Sequence, residues 1–114
     1  MFNLVETKVK MKTLHLVVDR HHFMRIVSEK RVDWRKVKPY YAQRLEDKQY
    51  DRVCFRNGYH KDAPRATYEY KGYKQHKELY MIFVSQCINL NAAAEHLIDK
   101  AVSDMFANAV NDMA

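Results

Sequence analysis

Glycine and proline are scarce in this chain: Gly58, Gly72, Pro39 and Pro64 are all that 114 residues contain. No glycine-rich phosphate loop exists, and no nucleophile-elbow pattern is present. The two cysteines, Cys54 and Cys87, form no CxxC pair and have apolar neighbours, so both are expected as reduced thiols in the core. Histidines at 15, 21, 22, 60, 76 and 96 show no ligand spacing. Neither a metal nor a cofactor is therefore expected. No run of eighteen apolar residues occurs, which excludes a membrane-spanning helix. The opening MFNLVETKVKMKTLHLVV lacks the ordered regions of a secretory signal, and the expected location is cytoplasmic. Internal repeats and low-complexity segments are also lacking.

Acidic residues are thin over most of the chain. Residues 8–77 hold nineteen Lys/Arg against eight Asp/Glu, whereas 78–114 hold Lys100 alone against five acids. The division predicts an anion-seeking body carrying an acidic appendage. The densest basic stretch, Trp34 to Tyr59, interleaves Arg35, Lys36, Lys38, Arg44 and Arg56 with Trp34, Tyr40, Tyr41 and Tyr59. Cations meet phosphates and aromatic faces stack on unpaired bases, so this composition points to nucleic acid.

Hydropathy patterning supplies the elements. Thr13–Val18 reads as a buried strand, and Asp19 caps a helix from Arg20 to Glu29 with Phe23, Met24, Ile26 and Val27 on one side. His21 and His22 open that helix, where helix-start polarity accounts for them. Lys30–Val37 alternates as a half-exposed strand, with Trp34 expected inward and cations on the open face. Pro39 starts a second helix running to about Lys48, and Tyr50–Arg56 is a strand ended by Asn57-Gly58. Thr67–Tyr70 and Tyr73 onward are expected to form a hairpin about Lys71-Gly72, and Leu79–Val84 a central strand. From Asn89 or Asn91, an amphipathic helix of about twenty residues carries Leu97, Ile98, Val102, Met105, Phe106 and Val110. The expected fold class is α+β: a small β-barrel with two short helices near a cleft and an added C-terminal helix.

The Lys38-Pro39-Tyr40-Tyr41, Phe55-Arg56-Asn57-Gly58-Tyr59 and Tyr70-Lys71-Gly72-Tyr73 blocks occur in order, with Glu29-Lys30, Arg35 and Arg44-Leu45. Over about residues 13–84 this pattern resembles the ASCH domain, a small relative of the PUA barrel with several members in phages. The resemblance implies a PUA-like barrel, assigned to residues 1–88; residues 89–114 lie outside the match, and their amphipathic pattern is expected to form an added helix packed on the barrel or used for self-association or partner contact. It also implies a cleft beside the first helix that relatives use to bind RNA. Some relatives cleave RNA, and one subgroup is similar to acetylcytidine amidohydrolases. Lys30 matches the lysine of those hydrolases, while Asp33 stands where their threonine is expected and no glutamate is matched.

The preferred expectation is a module that recognises single-stranded or modified RNA. Lys30, Arg31, Arg35, Lys36 and Lys38 would meet phosphates, Tyr40, Tyr41, Tyr59 or Trp34 would stack bases, and Arg56 and Asn57 would read a base edge. One alternative is an enzyme, a ribonuclease or nucleoside amidohydrolase, with Lys30 and Asp33 as an acid–base pair. Another is a phage protein that binds a host protein complex through its C-terminal helix, residues 91–114, which would equally serve a homodimer.

Overall fold

The computed structural model describes residues 11–28 and 32–113. Lys30 and Arg31, expected in the site, lie outside them. The element order is β1 (Thr13–Val17), α1 (Arg20–Ser28), β2 (Val32–Lys36), α2 (Pro39–Leu45), β3 (Arg52–Arg56), β4 (Arg65–His76), β5 (Leu79–Leu90) and α3 (Ala92–Met113). The strands make one sheet in the order β1-β3-β4-β5-β2, in which only β1 and β3 run parallel. The sheet curls into a half-barrel in an α+β fold with three helices. Among the described residues β1 and β2 are the two edges, and an open seam lies between them.

One core fills the inner face. Leu14 and Leu16 of β1, Val53 and Phe55 of β3, Tyr68 of β4 and Tyr80 and Ile82 of β5 meet Phe23 and Ile26 of α1 and Leu45 of α2. Alternation on β1 turns His15 outward between Leu14 and Leu16, as period-two geometry requires. Asp19 Oδ1 accepts the His22 amide at 2.7 Å and caps α1. Lys38 is extended at φ −144°, the conformation a following proline imposes, and Pro39 then starts α2. Asn91 caps α3: its Oδ1 accepts the amides of Ala94 and Arg65, both at 2.9 Å.

Four expectations are corrected. Lys71-Gly72 makes no hairpin; β4 runs through it and the chain reverses at Lys77, which takes φ 55°. Gly72, at φ 102°, instead serves a bulge, where the β4–β5 register shifts between Tyr70 and Tyr73. On β2 the expected faces are exchanged: Asp33 is buried and Arg35 half-buried, while Trp34 is 41% exposed. An inward acid with two partners outweighs the preference for an inward indole. Cys54 is buried, but Cys87 is exposed near the end of β5. α2 ends at Leu45, because Glu46 leaves the helical region and Asp47 has φ 58°.

Only the start of α3 joins the body. Ala94 is buried and Leu97 packs on the core, whereas Val102, Met105, Phe106 and Val110 are exposed, Met105 and Phe106 at 71% each. No helix among the described residues is long and apolar enough to cross a membrane.

Candidate nucleic-acid interface

The open seam is where the site forms. As an edge strand, β1 has backbone acceptors on the side away from β3, and unpaired edge groups need partners. Two arginines supply them. Arg35 Nη1 donates to the Val17 carbonyl at 3.3 Å, and Arg44 Nη2 donates to the His15 carbonyl at 2.7 Å. These carbonyls are two residues apart, so both leave the same side of the strand. A third arginine, Arg56 at the end of β3, donates from Nη2 to the carbonyls of Tyr59 and His60 at 3.0 and 2.6 Å.

Arg35, Arg44 and Arg56 thus come from three elements to line one cleft of about 270 Å³, with His15, Tyr40, Tyr41 and Tyr59 around them. Leu16 and Val17 complete its walls, and none of its described lining residues is a carboxylate. Tyr40 and Tyr59 are exposed, Tyr59 at 84%. The Arg44 guanidinium lies 5.1 Å from the Tyr40 ring centre and that of Arg35 lies 5.5 Å from Tyr41, within cation–π range. Tyr41 also accepts a hydrogen bond from Arg35 Nη1 at 3.1 Å.

Asp33 underpins this arrangement. Its Oδ2 accepts Arg35 Nε at 2.6 Å, and a hydrogen bond joins its Oδ1 to His22 Nε2. Burial alone would lower the Arg35 pKa, but the charge and hydrogen bond of Asp33, helped by Tyr41, outweigh it and hold the guanidinium above its ordinary range. With both oxygens engaged, Asp33 acts as an anchor for Arg35.

Comparison with known proteins finds no match. No family model, curated protein or solved structure is similar to this chain. The site therefore rests on its own geometry. Of the residues expected from sequence, Arg35, Tyr40, Tyr41, Arg56 and Tyr59 share the cleft. Lys36 and Lys38 line a separate, more open groove of about 860 Å³ with His76 and Lys77. Asn57 is committed to the fold: its Nδ2 donates to the Val18 carbonyl at 3.0 Å and its Oδ1 accepts Arg20 Nε at 2.6 Å. A base-edge role for Asn57 is thereby replaced by loop fixation. Trp34 faces a small recess on the other side of Arg35, beside His22.

Sequence reasoning placed Arg44 in the basic stretch without assigning it to the site, and it missed His15 and His22 there. Arg44 was findable, because it follows Tyr40 by four residues on a helix and so shares its face. His15 carried a weaker signal as the polar member of an apolar strand. Nothing in the local sequence marks His22 as the partner of Asp33, eleven residues away across a helix–strand connection.

Proposed function

We propose that the protein is an RNA-binding module of the ASCH type and that the seam cleft is its recognition site. The carrying observation is the convergence of Arg35, Arg44 and Arg56 in a cleft with no carboxylate among its described lining residues, bordered by the exposed Tyr40 and Tyr59. Guanidinium groups bind phosphates through directional N–H donors, and aromatic faces hold unpaired bases at ~1–3 kcal/mol each. The groove with Lys36, Lys38 and Lys77 offers further cations for a strand leaving the cleft. A half-barrel with helices packed on its inner face is compatible with the PUA-like architecture that this reading requires.

Fluorescence anisotropy with labelled single-stranded RNA tests the proposal. Log affinity is expected to fall linearly with log salt, at about 0.7 per phosphate neutralised. Arg44→Ala should weaken binding about tenfold or more, the scale of one lost charge-assisted hydrogen bond. Salt-independent binding, or none, refutes it. The hydrolytic alternative gains no comparable support, since both Asp33 oxygens are already engaged.

A second role, protein contact through residues 91–114, is favoured by the exposed Val102, Met105, Phe106 and Val110. Sedimentation of the full chain and of a chain ending at Ala101 tests it; identical behaviour, alone and with any candidate partner, counts against it.

A further inference from the structure

We infer that the seam cleft takes a terminal phosphate, the phosphomonoester of a single nucleotide or of an RNA end, in preference to an internal phosphodiester. The inference rests on the RNA-binding reading of the same cleft and narrows its ligand.

Unsatisfied donors carry the argument. Among the described residues, five buried side-chain polar atoms lack a hydrogen-bond partner: Arg35 Nη2, Arg44 Nε, Arg56 Nε, Arg52 Nε and Tyr70 Oη. The first three belong to the three arginines of the cleft. Leaving a charged donor buried and unpaired costs more than its usual hydrogen bond returns, so these atoms mark three guanidinium groups of one cleft whose hydrogen bonding the fold leaves incomplete. A tetrahedral oxyanion presents several acceptor oxygens at once and suits a cleft lined by guanidinium groups from three elements.

Charge then selects the kind of phosphate. Asp33 compensates Arg35, while among the described residues Arg44 and Arg56 hydrogen-bond backbone carbonyls through their Nη2 atoms and have no acidic partner. With no carboxylate among the described lining residues, about two positive charges remain uncompensated by them. A phosphomonoester carries about −1.5 to −2 near neutrality, whereas each internal phosphate of a strand carries one negative charge. Size agrees. At about 270 Å³ the cleft falls just below the usual range for small-molecule pockets, which is room for one nucleotide end and no continuous strand. Tyr40 and Tyr59 stand at its border to receive the attached base.

The test compares RNAs of one sequence that differ only in their ends: 5′-phosphate, 3′-phosphate, or hydroxyl at both. A nucleoside 5′-monophosphate, the free nucleoside and a 3′,5′-cyclic nucleotide extend the series. Titration calorimetry or anisotropy is expected to show a phosphorylated end binding about tenfold or more tighter than hydroxyl-ended RNA. The monophosphate should likewise exceed both the cyclic diester and the nucleoside. Arg44→Lys and Arg56→Lys keep the charge but lose the planar donor set, and should shrink the end preference. Equal binding of all RNAs overturns the inference while leaving RNA binding intact. Monophosphate binding without RNA binding supports the inference and removes the RNA reading, and failure of every ligand removes both.

Discussion

Asp33 has a fully buried side chain, yet it sits between Val32 and Trp34 on an edge strand where the apolar residues were expected inside. Its partners make the burial tolerable: removing one member of a buried ion pair strands the other's charge. Asp33→Ala is therefore expected to destabilise the protein by about 3–5 kcal/mol, measured by urea denaturation. Trp34→Ala, at an exposed position, should cost about 1 kcal/mol or less. The reverse order would restore the inward-indole arrangement. Asp33 is also a positioning residue for the cleft, since it fixes the guanidinium whose Nη2 has no partner in the fold.

At the scale of elements, the turn expected at Gly72 is instructive. The left-handed preference of glycine was legible, but a bulge and a turn both need it, and only pairing with β5 decides between them. A methyl group at Gly72 would meet nothing within 4 Å, so strain at φ 102° is isolated from packing. Gly72→Ala should cost about 1–3 kcal/mol in denaturant melts without any contact being lost. Helices α1 and α3 were legible because their apolar spacing and their caps, Asp19 and Asn91, agree. The faces of β2 were not, because Asp33 and Arg35 meet partners on α1 and α2 that sequence proximity does not reveal. Much the same holds for the cleft: its aromatic and basic members were visible in the Trp34–Tyr59 stretch, whereas their convergence on the β1 carbonyls is a tertiary fact. For α3, burial stops near Leu97 and Ala101. Ending the chain at Ala101 should leave the stability of the body within about 0.5 kcal/mol, as surface changes usually do; a larger loss in thermal melts would show that the distal turns contribute to it.

Across the molecule, tyrosines tie the fold to alkaline pH. The Tyr80 hydroxyl donates to Glu46 Oε2, and that bond, followed by burial, pushes its pKa up to about 12. Burial first, then the neighbouring Tyr50 and Tyr73, pushes Tyr70 up to about 12 as well. The folded state thus favours both protonated hydroxyls. Their contribution is fully present below the ordinary tyrosine value of about 10 and is lost as pH rises toward about 12. Denaturation midpoints should fall through that window, and Tyr80→Phe should flatten the fall; a midpoint constant across it contradicts the assignment. The open seam has a consequence of another kind. Arg35 and Arg44 cover the bare carbonyls of Val17 and His15, which would otherwise be a template for a strand from another chain. The two arginines that line the cleft thus also guard the sheet against edge-to-edge aggregation, so replacing either one would alter the cleft and bare a carbonyl of the strand edge together.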